Sequence, residues 1–191
     1  MHKRTLLILM AAGPLLAATA RAQVTNLCCP VLPATRLEAL EARTGPLIIK
    51  GSSLEGMVAA GDGVVSVTSK ADADTTTGHK EHGLRIRIAV HGQPEERVII
   101  DYDEMAALLK ALDELGKMGW SVTTLSSFDA FYTTRGGFRM AAFGVKRSGA
   151  VEYSLATHPL ARRIKLTPTQ LAQFRELIDQ AKRSLDTLAS Q

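Results

Sequence analysis

The chain has 191 residues, with 23 Lys and Arg against 19 Asp and Glu, a net charge of +4 and only 5% aromatic residues. So small an excess of basic residues gives no support to nucleic-acid binding, which rests on clustered Lys and Arg that displace counterions from phosphates. There is no Gly-Lys-Ser/Thr phosphate loop, Gly-x-Ser-x-Gly elbow, His-Glu-x-x-His or Cys-x-x-Cys, so the common catalytic classes lack their signatures, and neither a catalytic set nor a cofactor is expected.

Residues 1–22 read as a secretory signal peptide. His2, Lys3 and Arg4 give a positive start, Thr5 to Ala20 form an apolar run broken at Gly13-Pro14, and Ala20-Arg21-Ala22 is a small-x-small cleavage site. The uninterrupted apolar stretch is short of the roughly 20 residues that a membrane span needs. Cleavage before Gln23 would leave 169 residues carrying 20 basic and 19 acidic side chains, a net charge of +1. The expected product is an exported, periplasmic or secreted protein with no transmembrane span.

Residues 23–45 are expected to form a flexible leader with one short helix. Cys28 and Cys29 are the only cysteines, so within the chain they can bridge only to each other, as a strained vicinal pair. Leu27 is too large for the usual residue before a lipidated cysteine. A disulfide to a second molecule, and with it a homodimer, is the functional reading, and an incidental pair of thiols in a tether is the plain one. Thr35 to Arg43 can form the short helix, with Leu37 and Leu40 on one side and Gly45 as its stop.

From Pro46 the pattern is β. Leu47-Ile48-Ile49 and Gly63 to Thr68 are short apolar segments, and Leu84, Ile86, Ile88 and Val90 alternate with Arg85 and Arg87, as expected of a strand with one buried face. Arg97 to Ile100 returns after a turn at Gly92 to Glu95. Asp101 and Glu104 have capping-box spacing, and Met105, Leu108, Leu109, Leu112 and Leu115 predict an amphipathic helix over 102–117, so these acids are read as helix-capping groups. A second β block, Val122 to Thr134, Phe138 to Lys146 and Ala150 to Thr157, should form a meander. Thr167, Pro168 and Gln170 mark the start of a last helix with the stripe Leu171, Phe174, Ile178, Ala181, Leu185 and Leu188.

The fold class that buries both helices is α+β. Residues 46–191 are expected to form a single domain, an antiparallel sheet of about six or seven strands packed by two amphipathic helices. A strongly curved, cup-like sheet is the variant. The order of strands followed by a helix occurs twice, without residue-level identity between the halves.

Two clusters are candidate sites. Asp72, Asp74, His79, Glu81 and His82 carry metal-ligating groups in a polar stretch, Lys70 to Gly83, read otherwise as a solvated hairpin loop. Arg135, Phe138 and Arg139, beside Phe128, Phe131, Tyr132 and Phe143, gather aromatic and arginine side chains of the kind that anchor interfaces; read otherwise, the aromatics alternate into the core and the arginines are solvated ends, the reading favoured for Phe128 and Phe143. Three functions follow. The first is a non-catalytic binding or interaction domain with an envelope or extracellular protein partner. The second is a carrier of a small apolar ligand between sheet and helices, and the third an enzyme without a recognisable motif, for which His158 is a candidate by residue type only.

Overall fold

A computed structural model describes residues 32–190. Residues 1–22, read from the sequence as a signal peptide, and Cys28 and Cys29 lie outside the described residues. The element order is α1 (Arg36–Glu41), β1 (Ile48–Ala60), β2 (Gly63–Asp74), β3 (Lys80–Val90), β4 (Glu96–Asp101), α2 (Met105–Gly116), β5 (Ser127–Thr133), β6 (Arg139–Val145), β7 (Ala150–Ala156), β8 (Ile164–Leu166) and α3 (Pro168–Ala189). The α+β class holds, but the strands divide into two antiparallel sheets of four, β1-β2-β3-β4 and β5-β6-β7-β8, where one sheet was expected. Each sheet is followed by a helix, so the repeated element order is present in the architecture.

The division follows from where the apolar faces point. In the first sheet Val65, Val67, Leu84, Ile86, Ile88, Val98 and Ile100 share one face, and in the second Met140, Ala142, Tyr153, Leu155, Ile164 and Leu166 do the same. Both faces join α2 and α3 in one continuous core, in which Phe138 and Phe174 meet with ring centroids 6.0 Å apart. Burying side chains of this size stabilises by about 1.5–3 kcal/mol each before chain entropy is counted. The two helices lie against each other, and α3 also packs on β1, β2 and β3.

Helix α3 begins as its sequence indicates: Thr167 and Gln170 form a reciprocal capping box, with Pro168 at the first helical position. The start of α2 differs. Residues 102–104 form a 3-10 turn, the α-helix begins only at Met105, and Asp101 makes no side-chain cap to it.

The stretch Lys70 to Gly83 is mostly strand, not loop. Strand β2 runs on to Asp74 and β3 starts at Lys80, leaving only residues 75–79 as the turn. Its polar residues do not mark solvent because α1 covers them. This helix packs on β2, β3 and β4, on the face opposite the core, where Lys70, Asp72, Asp74 and Asp101 are all buried. Leu37 and Leu40 are buried there too, so residues 35–41 are built into the folded unit instead of belonging to a loose leader. The helix ends at Glu41, ahead of Gly45. In the second block β5 starts at Ser127, because Trp120–Val122 is a 3-10 turn, and the short β8 was not foreseen.

Candidate binding surfaces

The hairpin joining β5 to β6 carries three of the sequence-derived candidates, and the structure sends them to three different places. Phe138 is fully buried in the core and presents nothing to a partner. Its neighbour Arg135 is held over the start of α2. The Arg135 backbone amide donates to Glu104 at 2.8 Å, its Nε lies 3.3 Å from Glu104, and its guanidinium also bonds Asp103. Burial lowers the affinity of this guanidinium for its proton, but the bond to Asp103 and the charges of Glu104, Asp103 and Asp101 outweigh it and hold the pKa above the ordinary arginine value. The turn can come this close because Gly136 lacks a side chain: a Cβ there would run into the carbonyl oxygen of Ile99 on β4. The hairpin tip thus clamps the two halves together, with Phe138 in the core and Arg135 engaged by Asp103 and Glu104.

Arg139 lies elsewhere, on the outer face of the second sheet. Alternation along β5 and β6 puts Asp129, Phe131, Arg139 and Phe143 on that face, with Ala141 between the aromatic rings. Phe131 is 58% exposed and Phe143 43% exposed, where an isolated fold would be expected to hide aromatic rings. The Arg139 guanidinium sits 3.8 Å from the centre of the Phe131 ring, a cation–π arrangement across the two strands. Among the described residues no helix covers this face, whereas α1 covers the corresponding face of the first sheet. Only the aromatic content of the segment signals it; which rings point outward depends on strand register, and Phe143, expected in the core with Phe128, instead lies on the outer face.

The metal candidates are also separated. Asp72 pairs with Lys70 at 3.2 Å, and Lys70 also bonds Glu41 of α1. Asp74 pairs with Arg43 at 2.7 Å. His79 lies 3.0 Å from Glu81. His82 is the strand neighbour of Glu81 and so points to the opposite face of the sheet, opposite Ala71 in register. Among the described residues no group of three or more His, Cys, Asp or Glu side chains is placed to hold a metal ion. The four residues Asp72, Asp74, His79 and His82 therefore do not converge: Asp72 pairs with Lys70 of its own strand, which in turn bonds Glu41 of α1, and Asp74 pairs with Arg43 just after that helix.

A third feature was not anticipated. Beneath the last turns of α3, the inner face of β1 and β2 carries Gly51, Ser53, Ser69 and Ala71, in line with Val58, Val65 and Val67 further along the same face. The small floor leaves a groove of about 360 Å³, lined also by Ser52, Glu55, Lys70, Ser184, Leu185 and Leu188.

No helix among the described residues is long and apolar enough to cross a membrane. No family model matches the chain, and no curated protein does. Among solved structures, the plant transcriptional regulator PBF-2 aligns with 77% of this chain and 87% of its own at 11% identity, with a TM-score of 0.31, a likeness too slight to support any argument about this chain.

Proposed function

We propose that the chain is an exported, non-catalytic interaction domain that binds an envelope or extracellular protein through the outer face of its second sheet. The observation that carries the reading is the pair Phe131 and Phe143, exposed on one sheet face, with Arg139 stacked on Phe131. Aromatic and arginine side chains supply large contact area with little conformational freedom to lose, which is why they dominate binding hot spots. Asp129 and Glu152 flank Phe143 in register and add a polar rim. Export rests on the tripartite pattern of residues 1–22.

The test is selection of binding peptides from a displayed library on the wild-type protein, followed by titration against the double variant Phe131→Ser, Phe143→Ser. Selected peptides should lose affinity for the variant by roughly a hundredfold, the scale of two hot-spot side chains. The thermal midpoint should stay within a few degrees, since both side chains are at the surface. Peptides that bind wild type and variant equally would show that the contact lies elsewhere.

A further inference from the structure

We infer that the outer face of the first sheet, beside α1, is a docking surface for an acidic, leucine-bearing segment of a partner protein, whose carboxylates meet the cluster Arg85, Arg87 and Arg97 and whose apolar end meets Leu54 and Met57. It is separate from the aromatic surface of the second sheet, and neither Phe131 nor Phe143 takes part. Helix α1 has only six residues and lies over the half of the face that carries Lys70, Asp72, Asp74 and Asp101. The other half is set by two neighbouring rows that run in register from β1 to β4: Leu54, Thr68, Arg85 and Ile99, then Met57, Ser66, Arg87 and Arg97. Val67, Ile86 and Val98, which alternate with them along the strands, are buried in the core, so the two rows point the other way.

The charges of this half do not balance. Arg87 and Arg97 stand directly opposite each other across β3 and β4, and Arg85 is the next residue on the same face of β3. Like charges set opposite each other oppose strand pairing, so the placement is a cost to the fold on its own. One carboxylate serves all three: Glu95 accepts from Arg87 Nε at 2.8 Å. That bond outweighs burial and, with the charges of Arg87, Arg85 and Arg97, holds the Glu95 carboxyl below its ordinary value, so each arginine acts on it. Among the described residues this is the only ion pair that the three arginines make, which leaves two positive charges in excess. Arg97 is exposed, and it is the group best placed to meet a carboxylate from outside.

The β1 end of the same rows sets the rest of the partner. Leu54 and Met57 are 59% and 64% exposed, two large apolar side chains side by side on one face. From β1 to β4 is three strand spacings, roughly 14 Å, a distance that about five extended residues span. A segment with leucines at one end and carboxylates at the other therefore matches the surface in both chemistry and length. The planar fork of a guanidinium suits carboxylates in particular. Leu54 and Met57 belong to a strand and not to a protruding loop, which suits a peptide laid across the sheet and not insertion into a bilayer.

The probe is a labelled hexapeptide of three glutamates, one serine and two leucines, titrated against the full-length protein by fluorescence anisotropy at low ionic strength. It should bind, about tenfold more tightly than the same peptide with serines in place of the leucines, while a peptide with lysines in place of the glutamates should not bind detectably. Arg97→Glu should weaken binding about tenfold and melt no lower than wild type, since it sets a carboxylate opposite Arg87. Arg147→Glu, the same change of net charge on the exposed turn between β6 and β7, should leave the affinity as it is. Leu54→Ser combined with Met57→Ser should bring the leucine peptide level with the serine one. No binding of the glutamate–leucine peptide, equal losses in Arg97→Glu and Arg147→Glu, or binding of phosphatidylglycerol vesicles without binding of the peptide would each overturn the assignment.

Discussion

Asp101 accepts the backbone N–H of Leu37 at 3.1 Å, across 64 positions of sequence, and with its other oxygen takes the N–H of Arg36 at 2.9 Å. The carboxylate stands at the end of β4, fully buried, and supplies the start of α1 with acceptors that a six-residue helix needs because its first N–H groups have no partners within the helix. Thr35 and Glu38 complete the cap with a reciprocal capping box. So short a helix has no stability of its own and holds its place through this anchor and through Leu37 and Leu40.

Replacing Asp101 by alanine should therefore release α1. Two charge-assisted hydrogen bonds to buried or half-buried amides disappear, together with the local charge that faces Arg36 at 3.8 Å and Arg135 at 3.6 Å. The expected loss is about 3 kcal/mol, read as a shift in the urea midpoint, with amide exchange in residues 36–41 rising out of proportion to the core strands. Asp101→Asn keeps one good acceptor and should lose about half as much. Equal exchange rates in wild type and Asp101→Ala would mean that packing alone secures the helix.

The same pair shows why part of the fold was legible in the sequence and part was not. Local signals were reliable where the residue acts on its own segment: the capping box at Thr167, the stripe on α3 from Leu171 to Leu185 and the alternation of Leu84 to Val90 appear as read, while Leu188 at the end of the stripe is exposed. Asp101 fits a local capping pattern equally well, with Glu104 at the right spacing, yet its carboxylate serves a different helix. No periodicity encodes that choice, since it depends on α1 crossing the outer face of the first sheet. The polar run Lys70 to Asp74 misled for the same reason. Its side chains are polar and buried because Glu41 and Arg43, far away in sequence, supply the opposite charges. The groove beneath α3 is harder still, because it depends on what small side chains fail to fill.

Phe138 and Phe131 make a matched pair for separating core from surface. Both are phenylalanines near one hairpin, and sequence composition does not tell them apart. Phe138 is fully buried against Phe174, so Phe138→Ala should cost about 3–5 kcal/mol through lost burial and the cavity left behind. Phe131 is more exposed than buried, so Phe131→Ala should change stability by less than about 1 kcal/mol, mainly through the lost contact with Arg139. Chemical denaturation of the two variants reads this directly. A large loss in Phe131→Ala would mean that the outer face of the second sheet is part of the core.

Acid should weaken the attachment of the segment after α1 through Asp74. Burial pushes its pKa up, but the hydrogen bond from the Thr76 amide, those from Thr77 and the charge of Arg43 together outweigh it, and the carboxyl ionises below the usual carboxylate range. The folded value lies below the unfolded one, so the ionised group contributes stability at every pH above the ordinary carboxylate range, and that contribution is lost as pH falls through the folded value. Asp74→Asn cannot ionise and never has this contribution. The variant should be less stable than wild type at neutral pH, and the gap between their urea midpoints should narrow as the pH falls below roughly 4. Asp113, Asp186 and Glu95, which are also held below their ordinary values by Arg175, Lys182 and Arg87 respectively, lose stability in the same acidic window, but equally in both proteins. The difference between wild type and variant thus isolates Asp74, and a gap that stays constant from neutral pH to pH 3 would show that the pairing with Arg43 contributes nothing to holding the turn against the segment after α1.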